Sequence, residues 1–132
     1  MNKVVARFAN GAMVKGVTAD FLPGREAFHV SAAAESGATE TVEIRMRDLK
    51  AVFFVKELAG IPGHVRKKEF DPARPMPGRR IRVVFADGEV LVGTTQGYQP
   101  DRQGFFVVPV DREGNTERCY VVTASTREVK FV

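Results

Sequence analysis

Short runs in which apolar and polar residues alternate fill most of this chain, separated by turns rich in glycine, proline, asparagine and aspartate. A period of two is typical of β-strands with one buried face. No stretch shows a convincing helical period, so the pattern predicts an all-β protein with five short strands on each side of a segment rich in proline and glycine. The predicted strands are Val4–Phe8, Met13–Ala19, Phe28–Ala32, Thr41–Met46, Ala51–Val55, Ile81–Phe85, Val90–Gln96, Phe105–Val110, Arg118–Thr123 and Glu128–Val132.

The two groups of strands are copies of one unit. Aligned with itself at a shift of 77 residues, the chain matches residues 3–55 to residues 80–132 without a gap, and 15 of the 53 pairs are identical. We name residues 1–55 the first repeat, residues 56–78 the connecting segment and residues 79–132 the second repeat. Each repeat is close to the size at which a lone domain is marginally stable. We therefore expect each repeat to depend for its stability on contacts with the other repeat or with another chain.

Each repeat carries the signals of a small, strongly bent barrel. Asn10-Gly11 and Asp87-Gly88 follow the first strand of each repeat, and such dipeptides favour tight hairpins. Gly16 and Gly93 lie in the middle of the second strand, where glycine permits a sharp bend. The predicted architecture is two tandem five-stranded barrels, at residues 1–55 and 79–132, joined by the connecting segment at residues 56–78.

These motifs resemble those of the Sm-like (SH3-like) small β-barrels. Residues 83–93, with Asp87-Gly88 and Gly93, match the family's first motif, as do residues 6–16, and residues 44–49 partly match its second. The resemblance implies a small barrel and, in RNA-binding members, a base-binding element after the second strand. Residues 20–24 and 97–101 lack the asparagine of that element. Residues 93–106 also resemble a domain of uncharacterised bacterial proteins, which implies no activity.

Composition narrows the classes of function. The chain has 20 basic and 16 acidic side chains, a formal net charge of +4 and a calculated pI near 9.5, which permits a polyanionic partner without requiring one. The longest apolar runs are too short to span a bilayer, so no membrane association is expected. A single cysteine, Cys119, and an N-terminus without a signal-peptide pattern predict a cytoplasmic protein.

Catalytic and metal-binding constellations are missing from the sequence. It contains two histidines, His29 and His64, and no Cys-x-x-Cys or His-x-x-x-His spacing. Neither a catalytic residue, a metal ligand nor a cofactor is predicted, and we expect a protein that is not an enzyme. Arg74, Arg79 and Arg80 precede a strand as in cyclic-dinucleotide receptors of the PilZ kind, but the motifs of that family are absent.

The exteriors of the two repeats differ at equivalent positions. Inward positions are apolar or small in both repeats and form the predicted cores: Val4/Ile81, Ala6/Val83, Phe8/Phe85, Phe28/Phe105, Val30/Val107, Val42/Cys119, Ile44/Val121, Val52/Val129 and Phe54/Phe131. Six outward positions are charged or polar in the first repeat and apolar or aromatic in the second. The apolar set, our candidate interface, comprises Val84, Val92, Phe106, Val108, Tyr120 and Val122. It predicts a surface covered by the first repeat, by the connecting segment or by a second copy. Alternatively, the bent second strand breaks the alternation and some of these residues belong to the core. At two pairs, Val5/Arg82 and Phe53/Lys130, the apolar residue is in the first repeat and the charged one in the second. These pairs indicate that the first repeat is not wholly exposed either.

Two hypotheses of function follow from these surfaces. In the first, the protein is a non-catalytic interaction or adaptor module that binds a protein partner or self-associates through the second repeat. In the second, it is a small nucleic-acid or nucleotide binder that uses the basic face of the first repeat and the basic cluster of the connecting segment. The candidate residues for the second hypothesis are Arg7, Lys15, His29, Arg45, Arg66, Lys67 and Lys68. An ordinary solvated surface is the competing interpretation of these charges.

Overall fold

A computed structural model of the chain describes residues 1–33, 36–65 and 67–132 and confirms the all-β prediction. The described residues contain no α-helix, and a three-residue 3-10 helix precedes the last strand of each repeat. The first repeat contains β1 (Asn2–Phe8), β2 (Met13–Thr18), β3 (Ala27–Ala33), β4 (Thr39–Arg45) and β5 (Leu49–Val55). The second contains β6 (Arg79–Phe85), β7 (Val90–Thr95), β8 (Gly104–Pro109), β9 (Thr116–Val122) and β10 (Thr126–Phe131).

The duplication seen in the sequence recurs in the structure. Every strand of the second repeat begins 77 residues after its counterpart in the first, and so do the 3-10 helices Met46–Asp48 and Thr123–Ser125. The antiparallel pairings β1–β2, β1–β5, β2–β3 and β3–β4 recur as β6–β7, β6–β10, β7–β8 and β8–β9. Both repeats therefore share one local topology.

The way in which the repeats join differs from the prediction of two separate barrels. All ten strands form one antiparallel sheet in the order β10-β6-β7-β8-β9-β5-β1-β2-β3-β4, and this sheet is not closed. The repeats meet where β5 pairs with β9, which we name the joint. β10 and β4 are the two edges of the sheet. In the connecting segment, the described residues 56–65 and 67–78 contain neither helix nor strand.

The sheet carries two hydrophobic cores, one on each face of the joint. Val52 and Phe54 on β5 point into a core built mainly from the first repeat, with Val4, Phe28 and Ile44. Because side chains alternate along a strand, the intervening residues Ala51, Phe53 and Val55 point to the other face and join a core built mainly from the second repeat, with Val83, Phe105 and Val121 as examples. All seven residues of β5 are buried. The strand therefore belongs to both cores.

The two mid-strand glycines allow neighbouring strands to approach closely. A Cβ atom on Gly16 would lie 2.3 Å from the carbonyl oxygen of Ser31 on β3, and one on Gly93 would lie 2.1 Å from that of Val108 on β8. The close contact is with backbone, which cannot rotate away as a side chain can. Glycine is thus required here by the approach of β3 and β8, which agrees with its predicted place in a bent strand.

Candidate protein interface

The joint places apolar side chains from both repeats opposite one another. Val52 pairs with Tyr120 on one face of the sheet, and Phe53 pairs with Cys119 on the other. Tyr120 and Val122 are 1% and 2% exposed, and both belong to the core of the first repeat. Since directly opposed residues share a face of the sheet, β9 presents one row of side chains to each core. The second repeat thereby completes the core of the first.

An aromatic cluster marks the place where the second repeat enters the first. Phe21, Phe28 and Phe54, which we name the first aromatic trio, pack edge to face with ring centroids 5.1 Å and 5.2 Å from Phe21. Tyr120 from β9 lies 5.2 Å from the ring of Phe21, and Phe106 from β8 lies 6.0 Å from the ring of Phe54. We name Tyr120 and Phe106 the guest side chains. Edge-to-face packing of this kind stabilises beyond the area it buries.

The guest tyrosine is held by its polar end as well as by its ring. Its hydroxyl donates a hydrogen bond of 2.8 Å to the carbonyl oxygen of Pro23, in the loop between β2 and β3. Burial raises the pKa of Tyr120 above its ordinary value, so the phenol remains a donor, although a hydrogen bond with Gln103 opposes this shift. A Cβ atom on Gly104 would lie 2.5 Å from this ring, so glycine leaves space for it. The site therefore holds both the ring and the hydroxyl of Tyr120.

The second repeat contains the equivalent trio in a different environment. Tyr98, Phe105 and Phe131, which we name the second aromatic trio, have ring centroids 4.6 Å and 5.9 Å from Tyr98. Phe131 is 40% exposed, whereas its counterpart Phe54 is 4% exposed. This corrects the sequence pattern, which placed Phe131 on the inward face as core. The trio borders an open cleft of about 450 Å³ whose lining includes Thr95, Tyr98 and Phe131.

The edge strand β10 runs beside this cleft. It pairs with β6 on one side and is the last strand of the sheet on the other. Lys130 stands directly opposite Arg82 of β6, and the Glu128 carboxylate lies 3.6 Å from the guanidinium of Arg82 as an ion pair. The guanidinium of Arg79 lies 3.6 Å from the centroid of the Phe131 ring, as that of Arg118 lies 4.2 Å from the Phe54 ring. An exposed strand edge with an aromatic cleft beside it has the components of a strand-binding site.

Comparison with known proteins gives a family and no activity. A family model described as a family of unknown function, DUF6982, matches residues 1–132. The chain belongs to this family. No curated protein and no solved structure matches the sequence significantly.

The six apolar residues predicted as an interface of this DUF6982 protein fall into two groups. Tyr120 and Val122 are buried in the core of the first repeat, and half-buried Phe106 packs against the same core. Val84 is 7% exposed, and Val92 and Val108 are half-buried on the outer side of the second repeat. Val108 and Phe106 line an open cleft together with Pro77 of the connecting segment. Sequence reasoning missed Tyr98 and Phe131, although the reversed pair Phe53/Lys130 was a signal that β5 and β10 have unlike neighbours.

The basic residues predicted as an anion site are not brought together. Arg7 and Lys15 line a groove beside the connecting segment, where the Lys15 ammonium donates a hydrogen bond of 3.2 Å to the carbonyl of Leu58. His29 and Arg45 lie elsewhere, each within ion-pair distance of Glu43. In the connecting segment Lys67 and Lys68 are exposed, and Arg66 lies outside the described residues. The Lys67 ammonium is 3.7 Å from the Glu113 carboxylate.

Histidine–aspartate contacts hold one loop of each repeat in this family member. His64 of the connecting segment binds the carboxylate of Asp111, which is 3% exposed and also accepts a hydrogen bond of 3.0 Å from the backbone N–H of Lys67. Burial would raise the pKa of Asp111, but these hydrogen bonds outweigh it and hold the pKa below its ordinary value. In the first repeat the backbone N–H and the ring of His29 both bind Asp20, which lowers the pKa of that carboxyl.

A third polar contact connects the two repeats of the DUF6982 protein. The largely buried ammonium of Lys50 lies 2.7 Å from Asp87 and 3.1 Å from Glu89, above the ring of Phe85. Its hydrogen bond is the main cause of the lowered pKa of Asp87. The part of the chain that the structure describes contains no cluster of three or more histidine, cysteine, aspartate or glutamate side chains able to hold a metal ion. None of its helices is long and apolar enough to cross a membrane.

Proposed function

We propose that this protein is a non-catalytic interaction module that binds a protein partner at the β10 edge of its second repeat. The observation that carries the proposal is the contrast between the two aromatic trios. The first trio packs against Tyr120 and Phe106 of the strand pair β8–β9, and its Phe54 is 4% exposed. The second trio is built from equivalent residues beside an equivalent strand, and Phe131 is 40% exposed.

The joint supplies a template for how such a partner would bind. β9 adds to β5 as an antiparallel strand, and its alternate side chains fill the first trio. β10 is the counterpart of β5, and its outer side is a sheet edge. Strand addition of this kind takes affinity from main-chain hydrogen bonds and specificity from pockets for alternate side chains. An extended segment of a protein partner therefore suits the β10 edge.

The same template disfavours a second copy as the occupant. The strand that a second copy would offer is β4, the counterpart of β9 and the other free edge of the sheet. Glu43 stands there at the position of Tyr120, and His29 on β3 stands at the position of Phe106. Both side chains are exposed and lie within ion-pair distance of each other. Placing them against the second trio would desolvate charge without an apolar gain.

Support for the nucleic-acid alternative is weaker. Its candidate residues are divided between separate places, and His29, Arg45 and Lys67 each lie near an acidic side chain. Exposed pairs of this kind contribute little to stability, but they reduce the positive potential available to phosphates. The observations therefore favour a protein partner.

The proposal is tested with a peptide copied from the strand that fills the first trio. The probe is a fluorescein-labelled peptide of residues 114–123 with Cys119→Ser, which prevents disulfide formation. Fluorescence anisotropy would measure its binding to the wild-type protein and to Phe131→Asp, which places a charge in the second trio. Met13→Asp is the matched control, because Met13 is 47% exposed and lies on β2 of the first repeat.

We expect the peptide to bind the wild type and Met13→Asp equally and to lose at least about tenfold in affinity for Phe131→Asp. Circular dichroism would establish that both variants keep the β-sheet. Absence of binding to the wild type, or equal binding to Phe131→Asp, would contradict the proposal.

Three further attributes belong to the same proposal. The hairpin dipeptides at Asn10-Gly11 and Asp87-Gly88 and the bent second strands support a kinship with Sm-like small barrels of bacterial proteins. A single, buried cysteine fits a cytoplasmic location. The lack of a catalytic constellation in the sequence supports the absence of enzymatic activity.

A further inference from the structure

We infer that the partner segment carries an acidic residue followed by a tyrosine, with the tyrosine opposite Val129 and the acid opposite Lys130. This inference rests on the proposed function and specifies the chemistry of its ligand. It follows from transferring the register of the joint to the β10 edge. In the joint, Val52 stands opposite Tyr120 and Phe53 stands opposite Cys119. The counterparts of Val52 and Phe53 on β10 are Val129 and Lys130.

The tyrosine is specified by the second trio and by the loop beside it. Tyr98 and Phe131 occupy the places of Phe21 and Phe54. In the joint, Phe21 contacts the ring of Tyr120 directly, and Phe54 contacts Phe106, which in turn packs on Tyr120. Pro100 occupies the place of Pro23, whose carbonyl oxygen accepts the hydroxyl of Tyr120. An incoming tyrosine ring thus meets aromatic edges, and its hydroxyl meets a backbone acceptor. Phenylalanine would fill the same space without that hydrogen bond.

The acid is specified by the charges on the opposite face of β10. Lys130 stands directly across from Arg82, and like charges opposed in a sheet are destabilising. Glu128 offsets part of this charge through its ion pair with Arg82. An acidic side chain on the strand added outside Lys130 would offset the remainder. One residue after the tyrosine, the incoming strand lies opposite Glu128, where an acid would be repelled.

In the joint, the same register places apolar residues where β10 carries charges, so no acidic residue is needed on β9. The counterparts of Glu128 and Lys130 are Ala51 and Phe53, which are buried in the core of the second repeat. They face Val121 and Cys119 of β9, which are also fully buried. The face that is apolar in the joint is charged in β10. A strand that binds β10 should therefore differ from β9 at the positions of Cys119 and Val121 and keep the tyrosine between them.

Two peptides of identical composition test the inference. Both derive from residues 114–123: the first carries Cys119→Glu and Val121→Ser, and the second carries Cys119→Ser and Val121→Glu. The first places its acid opposite Lys130, and the second places it opposite Glu128. We expect the first to bind the wild-type protein about fivefold to tenfold more tightly in fluorescence anisotropy at low salt. Replacing its tyrosine with phenylalanine should weaken binding about threefold.

A charge-swapped protein distinguishes failure of this inference from failure of the proposed function. In the double variant Glu128→Lys/Lys130→Glu, the preference between the two peptides should invert. If both peptides bind equally to both proteins and Phe131→Asp abolishes the binding, the interaction function stands and the acidic position is wrong. If neither peptide binds, both fail. Sedimentation of the wild type as a dimer that Phe131→Asp dissociates would make a second copy the occupant and overturn the inference.

Discussion

The first and second aromatic trios have the same three-ring design and opposite exposures. Phe54 and Phe131 are equivalent by sequence and by strand, yet one is buried in a core and the other lies at an open edge. The difference does not come from the trio itself. It comes from the neighbouring strand: β9 lies beside β5, whereas among the described residues no further strand lies beside β10. Equivalent residues are therefore buried inside the molecule in one repeat and lie at a sheet edge in the other.

The edge residues show how this asymmetry is maintained. The joint buries Phe53, Tyr120 and Val122, whereas the counterparts at the two free edges are Lys130, Glu43 and Arg45. Charged residues on edge strands prevent the uncontrolled addition of further strands. The β5–β9 interface is thus apolar, whereas the equivalent positions on the edge strands β10 and β4 are charged. Charges at these positions disfavour a second pairing of the same kind.

The largest change is expected when the polar β4 edge is converted into a copy of β9. The triple variant His29→Phe/Glu43→Tyr/Arg45→Val, made in a protein that also carries Ala27→Gly, gives β3 and β4 the guest side chains that fit the second trio. Ala27 stands at the position of Gly104, where a Cβ atom would collide with the tyrosine ring. We expect it to self-associate head to tail, because the two ends of such an interface lie on different surfaces. Sedimentation velocity would detect species larger than the wild type. Adding Phe131→Asp to the triple variant should restore the wild-type profile, and a triple variant that sediments like the wild type would show that these side chains do not control the edge.

Truncating equivalent phenylalanines should separate the two trios by stability. Phe54→Ala leaves a cavity in the core of the first repeat and should lower the free energy of unfolding by about 3–5 kcal/mol. Phe131→Ala removes a ring that is already 40% exposed and should cost about 1 kcal/mol or less. Urea denaturation measures both. Equal losses would mean that the second trio is as much a core as the first.

The histidine–aspartate contacts should differ in strength in the same direction as their burial. Asp111 is 3% exposed and Asp20 is 38% exposed, so Asp111→Asn should cost about 1–2 kcal/mol at pH 7 and Asp20→Asn less. Both carboxyls have a pKa held below the ordinary 3.8. Each therefore contributes stability above pH 3.8 that is lost as the pH falls through the lowered pKa. Acid titration of unfolding should show a smaller loss in Asp111→Asn than in the wild type, and an identical profile would exclude this contribution.

The smallest expected effect concerns the tyrosine hydroxyls. Tyr120→Phe removes the donor to the carbonyl of Pro23 and should cost about 1 kcal/mol. The matched change in the second trio, Tyr98→Phe, alters a half-buried side chain at the cleft and should shift the midpoint of urea denaturation by less than half as much. A larger loss from Tyr98→Phe would indicate that its hydroxyl has a structural function.

The alternation of residues was sufficient to predict the strands and the inward face of each repeat. The predicted strands begin within two residues of the observed ones, and Val4, Phe28 and Ile44 are fully buried as expected. Glycine in the second strands and the hairpin dipeptides carry local signals that do not depend on the rest of the fold. Two positive-φ glycines, Gly11 and Gly88, lie in the hairpin turns as those dipeptides predict.

The joint could not be predicted in this way. A strand with two apolar faces is compatible with several partners, and the choice of β9 by β5 depends on residues more than sixty positions away in the chain. Periodicity assigns a side chain to a face and says nothing of what covers that face. The exposure of Phe131 was missed for this reason, since its sequence pattern is the same as that of the buried Phe54.

β5 belongs to both cores, and this has a consequence for the order in which the protein is synthesised. The first repeat leaves the ribosome complete in its own strands, but Ala51, Phe53 and Val55 have no second core to enter until residues 116–122 have been made. During that interval the nascent chain displays an apolar strand edge, the kind of surface that aggregates or recruits chaperones. The connecting segment emerges next, and its Leu58 packs against this same core in the folded protein.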